Sequence, residues 1–216
     1  MRTSILAYRR TDKVVARQEA TRTALLEAAR MLLAEGGFAA ASAAAVAARA
    51  GVATGTIYRY FSSREELLLE VFRTISDGEM SRLEAIAAGP GRPAERLRAV
   101  VRAFVGRAAR GPRQAHALLA DPLDGALARE RLAYRRRHAA IFERLLREAM
   151  AAGEVASLDA HVTAAAIAGA IPSALTLYGA DARLDTGALI AAVERMAGLG
   201  AAAGPLALSS AGDAAR

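Results

Sequence analysis

The 216-residue chain contains no cysteine and only three histidines. The first absence excludes a disulfide framework, a Cys-type zinc site and a thiol nucleophile, and it fits a reducing cytosol. His116, His138 and His161 fall on different predicted helices, with no metal-ligand spacing among them. A Gly-rich phosphate loop and a Ser-His-Asp pattern are also missing. Asp159 and His161, two apart, point in different directions on one helix. Catalysis is therefore not expected, and no metal or cofactor is implied. No run of alternating β-branched residues is long enough for a strand, so the expected fold class is all-α. There is no internal repeat.

The first 20 residues carry Arg2, Arg9, Arg10, Lys13 and Arg17 with no apolar stretch between them, so no secretory signal is expected. The longest uncharged window, Val162–Ala180, is mostly Ala, Gly, Thr and Ser with Pro172 inside. It reads as a buried helix of a water-soluble bundle rather than a membrane span.

What the chain has is positive charge at one end. Residues 1–64 hold ten Lys/Arg against four Asp/Glu, a balance of +6 out of the total +7. A basic N-terminal module on a near-neutral body is the footprint of a polyanion partner.

Breakers divide the rest. Residues 1–16 read as a flexible basic arm. Thr21–Glu35 is amphipathic, with Leu25, Ala28, Ala29, Leu32 and Leu33 on one face, and stops at Gly36-Gly37. Ser42 is placed to cap a helix over Ala43–Ala50, which Gly51 ends. A short helix, Thr54–Tyr60, follows, and Ser62 or Ser63 caps a long one from Arg64 to Ile86. Beyond Gly89-Pro90-Gly91-Arg92-Pro93, helices are expected over 94–109, 113–120, 125–152, 159–178 and 185–203, about nine in all. The tail 204–216 is small-residue in character and expected to be disordered. The domains expected are the arm over 1–16, an N-terminal helical unit over 17–64 and a helical body over 65–203.

The informative segment is Phe38–Phe61, two short helices joined by a tight turn. Val46 and Ala47 form the small apolar face of the first, and Gly51 supplies the positive φ of the turn. Ile57 and Phe61, four apart, anchor the second helix. Gly55, Thr56 and Arg59 then face away, flanked by Tyr58 and Tyr60. The outer face has no acid. Tyr and Thr hydroxyls can donate to phosphate oxygens, and Arg59 can donate twice to guanine O6 and N7. Tyr58 and Tyr60 have core packing as an alternative role, and Arg64 that of a solvated helix-start residue.

This segment resembles the DNA-binding domain of the tetracycline-repressor (TetR) family. The run Ala-Gly-Val-x-x-Gly-Thr-Ile/Leu-Tyr-x-Tyr-Phe-x-Ser-Lys/Arg-Glu-x-Leu stands here as Ala50–Leu67. Thr21-Arg22, Leu25-Leu26, Ala28-Ala29 and Gly36-Gly37-Phe38 match the family's opening helix. Ala53 departs from it, standing where Ser is common. The resemblance implies phosphate contacts from Ser42, Tyr58, Tyr60 and Arg64. It implies groove contacts from Thr54, Thr56 and Arg59, with Gly55 allowing close approach. It further implies a cytoplasmic homodimeric repressor on double-stranded operator DNA, whose body encloses a pocket for a small-molecule effector, with no membrane partner. A regulator or activator of this fold without a ligand is the alternative, against which the large near-neutral body argues.

Within that body, Phe104, His116, Leu119, Tyr134, His138 and Phe142 are the expected pocket residues, being bulky or polar-tipped groups on helices around a cavity. The expected dimer interface takes Ala164, Ala165, Ala168, Ile171 and Leu175 from one helix, with Gly169 allowing close approach, and Leu189, Ile190, Val193, Met196 and Ala197 from the next; filling of the monomer core is the alternative. Arg129, Arg131, Arg135, Arg136, Arg137 and Arg144, with Glu130, Glu143 and Glu148 interspersed, read as a solvated, salt-bridged face. The Arg135-Arg136-Arg137 run leaves an anionic ligand open.

Overall fold

The computed structural model describes residues 3–178 and 185–199, with side chains from residue 12 onward and without that of Tyr178. Among them there is helix and no strand. The elements are α1 (Thr3–Ala40), α2 (Ala43–Ala50), a short 3-10 helix (Thr54–Arg59), α3 (Arg64–Ala87), α4 (Pro93–Arg110), α5 (Pro112–Leu119), α6 (Gly125–Ala151), α7 (Ala160–Tyr178) and α8 (Thr186–Met196). The expected break at Gly179 and the tail beyond 203 lie outside the described residues, as do the side chains of Arg2, Arg9 and Arg10.

The segment expected as a flexible arm is helical from Thr3 and continues into α1. The physical reason is that residues 3–35 contain neither Gly nor Pro, and nothing there interrupts propagation of a helix nucleated downstream. Helical geometry breaks at Gly36 and Gly37, where Gly37 takes φ 69° and ψ −168°. That break lets Phe38 fold back into the core.

The other termini follow their local chemistry. The Ser42 hydroxyl accepts from the Ala45 amide at 3.2 Å, and Ser63 accepts from the Glu66 amide at 3.1 Å. The Ser62 hydroxyl and amide both donate to the Glu66 carboxylate, at 2.6 Å and 2.5 Å, and these two bonds hold its carboxyl below the usual carboxylate range. Gly51 closes α2 in the left-handed conformation, φ 69°. Asp159 and Asp185 cap α7 and α8.

One core runs through the chain. Leu25, Ala29 and Leu33 of α1 meet Val46, Ile57 and Phe61, while Leu67, Leu68, Val71 and Phe72 of α3 continue it toward α4 and α6. Because α3 is unbroken from Arg64 to Ala87, it serves both the N-terminal unit and the body. In the body, α6 packs against α3, α4 and α7, and α8 lies on α4 and α7. By length and composition α7 is apolar enough to cross a membrane. Here one face of it, Ala164, Ile167, Ala168 and Ile171, is buried within the chain.

Candidate nucleic-acid interface and effector cavity

The N-terminal module turns a short surface outward. Ile57 and Phe61 are buried, as their spacing predicts, and hold the 3-10 helix on the core beside α2. The segment is 3-10 rather than α, and its N-cap, Ala53, offers no side-chain bond. Thr54, Gly55, Arg59 and Ser42 are exposed, and Tyr58 is 56% exposed. Thr56 is half-buried, and Tyr60 is half-buried with its ring against the core. Tyr58 therefore fits the outward role, and Tyr60 combines it with packing. A Cβ at Gly55 would meet nothing within 4 Å, so backbone is open to an approaching group there.

Arg64 is placed differently from the expectation. Its Nε donates to the Ala41 carbonyl at 2.9 Å and its Nη2 to the Phe38 carbonyl. Phe38 follows the break at Gly36-Gly37 and Ala41 lies between α1 and α2, so Arg64 ties the α1–α2 corner to α3. Arg22 pairs with Glu70 and lies 5.2 Å over the Phe61 ring, a second strap between α1 and α3. Arg49 pairs with Glu35 at 2.5 Å.

The body holds a cavity of about 80 Å³ between α3, α4, α5 and α6. Of the six expected pocket residues it brings together Phe104, Leu119, Tyr134 and His138. Phe142 is fully buried behind this wall as packing. His116 lies on the outer side of α5, its Nε2 3.4 Å from Asp121, while Gln114 and Leu118 face the cavity instead. On a helix of only eight residues a small rotation decides which side faces in, and the sequence does not carry that rotation. Phe72 and Ile75 of α3 were not anticipated as lining.

Tyr134 packs edge-on against Phe72, ring centroids 5.6 Å apart. Burial, then a hydrogen bond from its hydroxyl to Asp77, push its pKa up to about 12. His138 stacks on Phe104 at 4.9 Å. Desolvation drives its pKa down to about 4, so the imidazole is neutral at neutral pH.

Three guanidinium groups reach the cavity, and they are not equivalent. Arg107 pairs with Glu79 at 2.6 Å, a carboxylate that Arg82 also meets at 3.1 Å. Arg131 and Arg135 have no carboxylate partner among the described residues. They donate instead to the carbonyls of Asp121, at 2.6 Å, and Leu119, at 3.3 Å. Burial, and then the like charge of Arg135, lower the Arg131 pKa from its ordinary value. Other charges of the same helix are answered across helices. Arg137 meets Asp77, Arg144 meets Glu84, Glu130 meets Arg73 and Glu148 meets Arg96. The sequence signal for the cavity face was the spacing of Arg131, Tyr134, Arg135 and His138, a single stripe within the basic run.

The loop from Leu119 to Gly125 touches both units. Asp121 packs on Gly37, where an added Cβ would lie 2.9 Å from its Oδ2. Arg113 of α5 donates to the Glu35 carbonyl at 3.0 Å, and Glu65 of α3 accepts from the Ala126 amide at 3.1 Å.

Most of the expected dimer residues point inward. Ala164, Ala168, Ile171, Leu189, Val193 and Ala197 are buried in the chain itself, Leu175 and Ile190 are half-buried, and Ala165 and Met196 are exposed. The outward stripe of α7 is Val162, Ala165, Ala166, Ser173 and Leu177, with Val162 61% and Leu177 67% exposed.

Residues 25–71 match the family described as "Bacterial regulatory proteins, tetR family", and residues 90–200 match "Tetracyclin repressor-like, C-terminal domain". The HTH-type transcriptional repressor KstR2 of Mycobacterium tuberculosis is 34% identical over 86 residues, which span 40% of this chain and 43% of that repressor. The match thus covers less than half of that relative's length. A solved transcriptional regulator of the TetR/AcrR family from Thermobifida fusca is 31% identical, with a TM-score of 0.66, over 82% of this chain and 95% of that one. FadR of Bacillus subtilis, solved in complex with stearoyl-CoA, has a TM-score of 0.69 at 24% identity, over 82% of this chain and 97% of its own. That last likeness shows the fold alone.

Proposed function

Because the chain belongs to the tetR family of bacterial regulatory proteins, a family of regulators rather than enzymes, we propose that it is a cytoplasmic, DNA-binding transcriptional repressor. It grips a palindromic operator as a homodimer and is released by an amphipathic anionic effector of the acyl-CoA thioester class. The reading of the effector rests on one observation: an apolar cavity whose mouth carries two guanidinium groups, Arg131 and Arg135, without carboxylate partners. An apolar chain fits the walls and a phosphate or carboxylate fits the rim. The stearoyl-CoA held by the Bacillus subtilis FadR, a protein of the same fold, supports that choice.

On DNA, Arg59 and Thr54 of the outward surface read base edges, with Thr56 beside them. Ser42, Tyr58 and Tyr60 hold phosphates, and Gly55 allows close approach. Arg64 acts by positioning this module. Pairing two modules requires a two-fold contact. The outward stripe of α7, with Met196 of α8, supplies an apolar surface for it, in place of the inward residues expected from periodicity.

Release follows from competition for two side chains. An anion drawing Arg131 and Arg135 toward itself takes donors from the Asp121 and Leu119 carbonyls. The loop they brace packs on Gly37 and is flanked by the Arg113 and Glu65 ties. Loosening it shifts the angle of the N-terminal module and so the spacing of two reading heads.

The test is to select bound sequences from a random DNA pool and follow operator binding by fluorescence anisotropy at fixed salt. Straight-chain acyl-CoA thioesters of increasing length are then added. A palindromic consensus and chain-dependent release support the reading. Failure to select any sequence removes the regulator function, and release by free coenzyme A alone removes the role of the apolar cavity.

A further inference from the structure

The part of α1 that precedes the N-terminal module carries charge on a surface nothing covers. Residues 12–20 are exposed on every side, and the first buried residue of the helix is Leu25. The family match also begins at residue 25, so this stretch lies outside it.

Its charges are not scattered. At about 100° per residue, positions 9, 10, 13 and 17 fall within one arc of about 100°. Arg9, Lys13 and Arg17 follow one another at i, i+4 and i+8, with Arg10 at the edge of the same stripe. The two acids of the stretch, Asp12 and Glu19, fall outside that arc. The ion pairs made from α1 belong to Arg22, Arg30 and Glu35, and among the described residues none involves Lys13 or Arg17. Like charges at i, i+4 repel each other, so a helix with three in a row is better placed beside a polyanion than alone.

The stripe joins the module at the surface proposed for DNA. Arg22 lies 5.2 Å over the ring of Phe61, the residue that follows Tyr60. Arg17, five residues earlier, is thus about 7–8 Å along the axis from the level of the reading segment. Two anionic surfaces could take such a stripe, and the apolar residues decide between them. A helix that lies on a membrane needs an apolar face beside its basic one. Over 12–20 the bulky apolar residues are Val14 and Val15, neighbours about 100° apart that make no face. Duplex DNA asks only for the charge.

We infer that Arg9, Arg10, Lys13 and Arg17 form a second DNA site, a phosphate-binding stripe that lays the start of α1 along the duplex backbone beside the half-site. The inference rests on the reading of the module as the DNA interface. The stripe adds affinity without sequence preference, because phosphates carry no base information.

The experiment follows operator and scrambled DNA by anisotropy over a salt series, with the full-length protein and the triple variant Arg9→Gln, Lys13→Gln, Arg17→Gln. Glutamine keeps the helix propensity and removes the charge. A control, Arg110→Gln, Arg129→Gln, Arg136→Gln, removes the same charge from exposed positions of the body. Each phosphate contact contributes about 0.9 to the slope of log affinity against log salt. The stripe variant is therefore expected to flatten that slope by about 2–3 per protomer and to bind about tenfold or more weakly at low salt. The ratio of operator to scrambled affinity should stay within about twofold of native. The control should keep the native slope, and so should Arg9→Lys with Arg17→Lys, which guards against a folding defect in the glutamine variant. Native slope and affinity in the stripe variant overturn the inference. A control that flattens the slope equally overturns it too, since net charge alone then accounts for the effect. A loss confined to operator DNA replaces phosphate contact with base reading. Binding to vesicles of anionic lipid that the stripe variant loses, with its DNA slope native, assigns the stripe to a membrane surface instead. Should the native protein bind no DNA at all, the regulator reading falls first, a pattern distinct from binding with an unchanged slope.

Discussion

Substituting alanine for Gly37 perturbs the joint between the DNA-reading module and the body. Two costs are expected there. With φ 69° and ψ −168°, Gly37 lies in a region that is essentially glycine-only, where an L side chain costs roughly 1–3 kcal/mol. The new Cβ would also lie 2.9 Å from Oδ2 of Asp121, so that carboxylate must move, and with it the loop whose carbonyl Arg131 holds. Together these give a loss of about 2–4 kcal/mol. For a chain of this size each kcal/mol lowers the melting midpoint by about 2–4 °C, so a fall of roughly 5–10 °C is expected. Gly51→Ala is the control. Gly51 also has φ 69°, but with ψ 32° and open space around its Cβ, so only ordinary left-handed strain applies, about 1 kcal/mol. The assay is thermal unfolding followed by helical circular dichroism, with guanidinium titration as a check on the slope. A Gly37→Ala protein that melts no lower than Gly51→Ala would refute the contact between Gly37 and Asp121 as a structural joint.

Arg59→Ala is expected to weaken operator binding by about 1–3 kcal/mol and to relax sequence preference at one position per half-site, read by anisotropy against operator and scrambled DNA. Arg64→Ala, by contrast, removes two bonds to the α1–α2 corner and should lower the melting midpoint without changing the salt slope of DNA binding; a reduced slope would return it to phosphate contact. His138 makes stability pH-dependent. The unfolded chain takes up a proton near the ordinary 6.5, while the folded chain resists until about 4, so stability is full above 6.5 and falls as pH drops through that window. At pH 5 the loss is about 2 kcal/mol, and a denaturation series in which His138→Phe keeps the same slope between pH 7 and 5 would contradict this. Val162→Glu combined with Leu177→Arg should give a monomer by light scattering with weakened binding to a full palindrome, and a dimer surviving both changes rules the outward stripe out as the contact.

The parts of this fold that were legible in the sequence are those written in local chemistry. Ser42, Gly51, Ser63 and Gly36-Gly37 act on their own few neighbours, so the helix ends they set are read without knowing the tertiary structure. Ile57 and Phe61 were legible because a short, mostly polar segment leaves few apolar anchors to choose from. Arg64 was not, since its partners are carbonyls 23 and 26 residues away, at the α1–α2 corner. The outward face of α7 failed for another reason. Periodicity finds an apolar face only when the opposite face is polar, and α7 places Ala, Val, Gly or Leu on nearly every side. Ile167 and Ile171 mark the inward face in retrospect, as the bulkiest side chains buried along the helix. Ala164 and Ala168 were assigned to the contact between copies, but here they are buried within one chain, where α7 packs against α6. The same ambiguity on α6 resolved usefully. There the basic run was read as one solvated face, yet arginines that find a carboxylate on α3 separate from Arg131 and Arg135, which find none. Charge counting cannot make that distinction. Partner counting in three dimensions can, and it separates an undifferentiated arginine cluster into residues that pair with α3 carboxylates and brace the body, and a pair at the cavity, Arg131 and Arg135, whose donors go to backbone carbonyls.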